Sequence, residues 1–112
     1  MTKEVIYRSA LPDPPLVEMG LFEYLFPKPR GNQSPLPTYD RKLPAYIDGL
    51  DGRTLSRGQV EDDALRMVSG LKSIGIKKGD TACIWGLNSL EWVRAAFGCM
   101  AAGVTVSPAN AA

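Results

Sequence analysis

The sequence predicts an α/β fold in which a strand, a helix and a second, parallel strand follow one another. The first observation is a short, mostly apolar run from Thr81 to Leu87, which is typical of a strand buried on both faces. The second is the segment Val104–Ser107, which follows a helical pattern and begins another strand. Strand, helix and strand within about thirty residues form the minimal βαβ unit, so we expect parallel strands and a right-handed crossover.

Length and composition limit the number of domains and the classes of protein to which this chain can belong. The chain has 112 residues, which allows one domain at most. Its net charge of +1 gives no indication of binding to nucleic acid or to a membrane surface. The longest apolar run, 95–104, is too short to span a bilayer, and the absence of histidine removes the usual general base and zinc ligand. We expect no nucleic-acid partner and no membrane span.

The two cysteines, Cys83 and Cys99, are expected to be free and buried, where they would act as small hydrophobic residues. No signal peptide precedes them, so a disulfide is not expected. The same observation predicts an intracellular protein, either cytoplasmic or peroxisomal.

Residues 1–44 are predicted to form an extended N-terminal arm. All but one of the nine prolines lie here, and proline removes a backbone donor and fixes φ. A short helical segment within 17–26 should place its aromatic side chains on the folded body. We expect Ile6, Leu11 and Leu16 to help hold the arm in place.

Residues 45–112 are predicted to form the folded body. It begins with a small hairpin, whose strands are Ala45–Asp48 and Arg53–Leu55. The intervening residues 49–52 tolerate the positive φ that a tight turn needs.

A helix then begins at Ser56, because Ser56 and Gln59 fit the capping-box pattern. Gly75 is placed to end this helix in a left-handed conformation, and Lys72 lies in the last turn, where cations are favoured. One apolar stripe recurs at helical spacing: Val60, Ala64, Met67, Val68 and Leu71.

The second helix is predicted to begin at Asn88, with Glu91 three residues later, and to end at Gly103. Pro108 is expected to stop the strand that follows. The helix has an apolar stripe formed by Val93, Ala96, Phe97, Met100 and Ala101. Several small residues should let it lie close to a sheet: Ala95, Ala96, Gly98, Ala101 and Ala102.

Motifs that carry chemistry are weak in this sequence. The segment 70–75 has the spacing of a phosphate-binding loop, but Ile76 occupies the position of the lysine and the segment is predicted to be helical. The acidic triplet 61–63 is interpreted as a complement to the helix dipole rather than a metal site. For Trp85 and Trp92, core packing is favoured over ligand stacking.

Taken together, five segments resemble the AMP-forming adenylating enzymes, and in particular the 4-coumarate–CoA ligase-like acyl-CoA synthetases. Arg57 follows the second of them, at a position where tyrosine is common in the family. In order, the segments are Ile6–Asp13, Gly52–Ser56, Leu71–Asp80, Asn88–Trp92 and Met100–Asn110.

This resemblance implies the incomplete N-terminal lobe of an acyl-adenylating enzyme, with 45–112 as the first part of the AMP-binding domain. The full-length family uses ATP, Mg and coenzyme A to form an acyl-adenylate and then a thioester. No residue of this chain matches the family's phosphate loop, adenine motif, ribose-binding aspartate or C-terminal lysine. We therefore assign no catalytic, no cofactor-binding and no metal-binding residue, and expect the chain to be truncated before the phosphate loop.

Three interpretations remain open. The chain is a truncated part of an acid–CoA ligase without activity of its own, a stand-alone interaction module derived from that lobe, or an unrelated small α/β binding domain. A sheet of two parallel strands leaves its edges open, so the remainder of the adenylating domain is expected to cover it, and self-association through those edges is a further expectation.

Overall fold

A computed structural model describes residues 3–27 and 34–111. It contains three helices and four strands within those ranges. In chain order they are α1 (Leu21–Leu25), β1 (Pro44–Ile47), β2 (Thr54–Ser56), α2 (Arg57–Ser73), β3 (Thr81–Trp85), α3 (Leu90–Ala102) and β4 (Thr105–Ala109). The predicted α/β class is confirmed, and β1 and β2 form the predicted antiparallel hairpin.

β3 and β4 are parallel, as predicted, with a register that runs from Thr81 opposite Thr105 to Trp85 opposite Ala109. β3 ends at Trp85, two residues before the predicted end. Pro108 lies inside β4 opposite Ile84, so the prediction that it stops the strand was wrong. Proline is tolerated on an edge strand when its missing N–H faces away from the neighbouring strand.

The prediction that β3 is buried on both faces was also wrong. α3 covers one face, on which Ala82, Ile84 and Val106 are half-buried. On the opposite face Cys83 is exposed, and Trp85 is 77% exposed. Burial was therefore mispredicted for Cys83, and core packing for Trp85, because no described element packs on that face.

The buried interior comprises two clusters, one on each side of α3. The first joins α1, the hairpin, α2 and α3 and is formed by Phe22, Phe26, Leu55, Val60, Ala64 and Leu90. The second joins α2 and α3 to the sheet and is formed by Leu71, Cys99 and Val104. Most of the apolar stripe of each predicted helix faces these clusters, although Val68 and Ala96 belong to neither. Cys99 is buried and free as expected.

α2 has the ends that the sequence predicts. The Ser56 hydroxyl accepts a hydrogen bond from the Gln59 N–H at 3.2 Å, and the Gln59 side chain accepts one from the Ser56 N–H at 2.8 Å. At the other end Gly75 has a φ of 87°. The N–H of Ile76 donates to the carbonyl of Leu71, which closes the helix in a Schellman motif.

α3 begins one residue later than predicted, because Ser89 rather than Asn88 is its N-cap. The Ser89 hydroxyl accepts a hydrogen bond from the Trp92 N–H at 3.1 Å. Serine and asparagine are equally good caps, so local sequence could not choose between neighbours. Gly103 ends the helix with a φ of 69°, as expected.

Gly98 has a different role from the one predicted. A Cβ atom at this position would lie 2.6 Å from the Cβ of Met67 on α2. The small residue therefore permits close packing of α3 on α2 rather than on the sheet.

In its described part, the arm is held by aromatic residues and by Arg41, which pairs with Glu61 and Asp62. Phe22 and Phe26 are buried, with ring centroids 4.7 Å apart. Ile6, Leu11 and Leu16 are 66%, 76% and 97% exposed, so the prediction that they hold the arm was wrong. Among the described residues, no helix is long and apolar enough to cross a membrane.

Candidate functional site

A binding site is expected at the carboxyl end of the β3–β4 sheet, because ligands of open α/β sheets bind beyond the carboxyl ends of the strands. The Trp85 indole lies there and donates from Nε1 to the carbonyl oxygen of Asn110 at 3.1 Å. A shallow cavity of about 410 Å³ adjoins it, between Trp85, Leu87 and Trp92. These side chains form an apolar platform without a nucleophile.

Glu91 supplies the carboxylate at this cavity. A hydrogen bond from its own backbone N–H, followed by the charge of Arg53, holds the pKa of Glu91 below its usual range. Glu91 Oε1 lies 3.3 Å from Arg53 and 3.4 Å from Arg94. A carboxylate with a lowered pKa and two arginine partners is a poor general base at neutral pH.

Arg53 connects two of the segments that resemble the adenylating enzymes. It pairs with Asp51 at 2.7 Å, with Asp48 at 3.6 Å and with Glu91 at 3.3 Å. Hydrogen bonds from the backbone and then the side chain of Arg53 lower the pKa of Asp51. The network joins the hairpin turn to the start of α3, which indicates a structural role.

Arginine side chains, rather than the helix dipole, are the principal partners of the acidic triplet 61–63, so the dipole interpretation was wrong. The triplet lies beyond the first turn of α2, where the dipole effect has weakened. Arg41 pairs with both Glu61 and Asp62, and Asp63 lies 2.9 Å from Arg94. No group of three or more potential metal ligands occurs in the part of the chain that the structure describes.

Tyr39 was missed by the sequence analysis, since nothing in its local sequence distinguishes it from an arm residue. Its hydroxyl donates to Glu61 Oε2 at 2.8 Å. Burial, and then the hydrogen bond with Glu61, raise the pKa of Tyr39 to about 12. The phenol is therefore neutral at physiological pH and is no candidate for a base or a nucleophile.

A second shallow cavity, of about 310 Å³, lies between the hairpin and α3. Its walls include Phe26, Tyr39, Tyr46 and Phe97, and the guanidinium carbon of Arg57 lies 5.8 Å from the centre of the Tyr39 ring. Arg57 makes no ion pair with any described carboxylate. The cavity can hold an apolar group beside a cation, but it presents no acid–base pair.

The comparisons with known proteins identify the family. The family model described as AMP-binding enzyme matches residues 38–112. The chain is 31% identical, over 98% of its length, to 4-coumarate–CoA ligase 5 of Oryza sativa subsp. japonica, of which it spans 19%. It is 38% identical over 58 residues to the mitochondrial medium-chain acyl-CoA ligase ACSF2 of Rattus norvegicus. That match covers 52% of this chain and 9% of the ligase.

The fold agrees with these matches. The crystal structure of apo MatB from Rhodopseudomonas palustris superposes on 83% of this chain with a TM-score of 0.68 and 25% sequence identity. The match covers 17% of MatB, so the chain spans about a fifth of both MatB and 4-coumarate–CoA ligase 5. The resemblance seen in the five segments is thereby confirmed, and the chain belongs to the AMP-binding enzyme family.

Proposed function

We propose that this chain is the N-terminal part of an ATP-dependent carboxylic acid–CoA ligase and that it serves there as scaffold. The observation that carries the proposal is the match of 98% of the chain to only 19% of a 4-coumarate–CoA ligase. The open face and open edges of the β3–β4 sheet support it, because parallel sheets in α/β enzymes are covered on both faces. The remainder of the adenylating domain is the proposed cover.

In the complete enzyme the reaction is the formation of an acyl-adenylate, followed by thioester formation with coenzyme A. Among the residues that the structure describes, we find no set that fits ATP or Mg. The turn after β3, 86–89, carries no lysine, and the carboxylate that follows it, Glu91, is already paired with arginines. The chain's contribution is mechanical: α3 covers one face of the sheet, α2 packs against α3, and the Arg53 network holds the hairpin against α3.

The proposed domain division also rests on the match to the N-terminal part of a ligase. Residues 1–44 are the arm, and 45–112 are the first part of the AMP-binding domain, which is truncated before the phosphate loop. We assign no catalytic, nucleotide-binding or metal-binding residue to this chain. The compartment is proposed to be intracellular, either cytoplasmic or peroxisomal.

To test for activity of the isolated chain, the purified chain is mixed with Mg-ATP, a fatty or aromatic acid and coenzyme A, and pyrophosphate is measured. We expect no pyrophosphate from the chain alone, and no heat of ATP binding by calorimetry. As a positive control, the chain replaces the matching part of rice 4-coumarate–CoA ligase 5, and this chimera should release pyrophosphate. Micromolar ATP binding by the isolated chain, or a folded but inactive chimera, would contradict the proposal.

A stand-alone interaction module is the second candidate. The exposure of Trp85 beside an uncovered sheet face favours it, because exposed aromatic residues are frequent at interfaces. Self-association through the open strand edges would be one form of this function. A sharp, reversible thermal transition of the isolated chain would support the module, whereas aggregation or weak folding would support the scaffold.

A further inference from the structure

We infer that the cavity between the hairpin and α3 binds a small aromatic carboxylate, with the ligand's ring among aromatic side chains and its carboxylate on Arg57. This binding site goes beyond the proposed function, because every described residue that lines it lies in this chain and none needs ligase activity. Three observations carry the inference: the connected aromatic walls, the free guanidinium of Arg57, and the pairing of the neighbouring charges with one another.

Four aromatic rings form the walls of the cavity as a connected series. Phe26 lies between Tyr39 and Phe97, with ring centroids 6.2 and 5.7 Å away and interplanar angles of 75° and 81°. Phe97 in turn meets Tyr46 at 6.3 Å and 62°. Edge-to-face contacts of this kind stabilise aromatic pairs beyond the burial of their area, and a further planar ring can extend the same packing. The walls therefore favour an aromatic group over an aliphatic chain.

Arg57 is the one charged residue among the described residues that line the cavity. Its guanidinium carbon lies 5.8 Å from the centre of the Tyr39 ring, which is close enough for a cation–π contact that holds the charge at the cavity wall. No ion pair or hydrogen bond joins this side chain to any residue that the structure describes. A cation–π contact uses no N–H group, so the guanidinium keeps the paired donors that bind a carboxylate.

The charged groups nearest to Arg57 in the fold are paired with one another. Glu61 lies one helical turn after Arg57, at a spacing that allows an ion pair, but its carboxylate accepts hydrogen bonds from Tyr39 and Arg41 instead. Arg41 also pairs with Asp62 at 2.6 Å. The cavity thus presents a single uncommitted positive charge, which suits a ligand with one negative charge.

The backbone at the start of α2 does not supply this site. The N–H of Arg57 donates to the carbonyl of Leu43, and the N–H of Gly58 donates to the carbonyl of Arg41, both at 2.9 Å. The N–H of Gln59 is used by the capping box. An anion in the cavity must therefore be held by the Arg57 side chain, which makes that side chain the decisive one to change.

The size of the cavity limits the ligand to about one ring. Its volume of about 310 Å³ lies near the lower end of the range for small-molecule pockets, about 300–1,000 Å³. Phenylacetate meets these limits, because it has one ring, one carboxylate and a short link between them. For a ligand of about ten non-hydrogen atoms we expect a Kd on the order of 1 mM.

To test the inference, the purified chain is titrated with phenylacetate, and the aromatic side-chain signals are followed by NMR. Saturable changes are expected at Phe26, Tyr39, Tyr46 and Phe97. Phenylacetamide has the same ring without the charge and should bind about tenfold more weakly, and acetate, which lacks the ring, should not bind at these concentrations. Equal binding of phenylacetamide, or of hexanoate, would overturn the assignment of an aromatic carboxylate.

Three variants locate the binding site. Arg57→Gln removes the charge and should weaken phenylacetate binding about tenfold or more. Arg66→Gln is the matched control and should leave binding unchanged, because Arg66 lies on the same helix, is 80% exposed and does not line the cavity. Ala45→Leu adds volume to the cavity wall and should weaken binding without changing any charge. Unchanged binding by Arg57→Gln would overturn the inference.

Urea denaturation provides a second measurement, which also serves if the isolated chain is weakly folded. A ligand that binds only the folded state multiplies the ratio of folded to unfolded chain by 1 + [L]/Kd, so phenylacetate at about 10 mM should raise that ratio about tenfold. The urea midpoint should rise for the wild type and Arg66→Gln, but not for Arg57→Gln. An unchanged wild-type midpoint would overturn the inference, and pyrophosphate release by the rice chimera would still test the proposed function separately.

Discussion

The α2–α3 pair and the β3–β4 sheet differ in how far their backbone hydrogen bonds and apolar surfaces are covered by other parts of this chain. Both helices are capped at each end, and their shared surface contains fully buried residues such as Val60 and Cys99. Within the described residues, the sheet has one covered face, one open face and two open edges. A helix closes its hydrogen bonds within one segment, whereas a strand needs neighbours that are distant in sequence.

The largest expected effect is in the core that the helices share with the hairpin. Leu55 has no exposed surface, so Leu55→Ala should lower the free energy of unfolding by about 2–5 kcal/mol through lost burial and a residual cavity. Urea denaturation measures this change. Leu50→Ala is the control, because Leu50 is 99% exposed and the same truncation should change stability by less than about 0.5 kcal/mol. Equal effects would mean that the hairpin does not pack as described.

The next effect tests the approach of α3 to α2. Gly98→Ala places a Cβ about 2.6 Å from the Met67 Cβ and should cost about 1–3 kcal/mol through overpacking. Gly70→Ala is the matched change in α2, at a site where the new Cβ meets nothing, and it should stabilise by up to about 1 kcal/mol. Urea titrations of both variants, run side by side, measure the two changes in the free energy of unfolding. A stabilising Gly98→Ala would contradict the close packing.

Substitutions of the two cysteines compare a buried site in the helix layer with an exposed site on the open sheet face. Cys99→Ser buries a hydroxyl where the thiol is 1% exposed, and should destabilise by about 1–3 kcal/mol. Cys83→Ser makes the same change on the exposed face and should stay within about 0.5 kcal/mol. Modification by a thiol reagent should follow the same order, with Cys83 reacting first. Faster modification of Cys99 would contradict the assigned burial.

The smallest effect appears only in alkali. The pKa of Tyr39 is raised to about 12, above its ordinary value of 10.0, so its neutral form stabilises the fold below pH 10. That contribution should be lost as pH rises from 10 towards 12, because the unfolded chain ionises first. The urea midpoint followed over this range should fall more steeply in the wild type than in Tyr39→Phe. Identical slopes would show that Tyr39 is not perturbed.

Local chemistry explains which predictions succeeded. The capping box of Ser56 and Gln59, the left-handed Gly75, the helix end at Gly103 and the parallel direction of β3 and β4 all follow from patterns within short segments. The N-cap of α3 was displaced by one residue because Asn88 and Ser89 are equivalent caps. Errors at this level arise from near-equal local energies.

The failures concern exposure and side-chain partners. Cys83 and Trp85 lie on an apolar strand, and only the absence of a covering element among the described residues leaves them exposed. The contacts of Tyr39 and Arg41 with Glu61 join positions about twenty residues apart in the sequence. Periodic patterns of apolar residues do not predict contacts at that separation. The assignment of no site residue to this chain stays a prediction, and pyrophosphate and ATP-binding measurements test it.

By itself, the amino-acid sequence determined the type and order of the elements, the ends of α2, and the resemblance to adenylating ligases, because helix caps, turn glycines and apolar periodicity act over a few residues. The tertiary structure decided that α3 approaches α2 at Gly98, that the three carboxylates of 61–63 pair with arginines, and that one face of the sheet is left uncovered by the described residues. These depend on which surfaces meet across long stretches of chain, where the free energy of burial and charge pairing is set by partners rather than by neighbours in sequence.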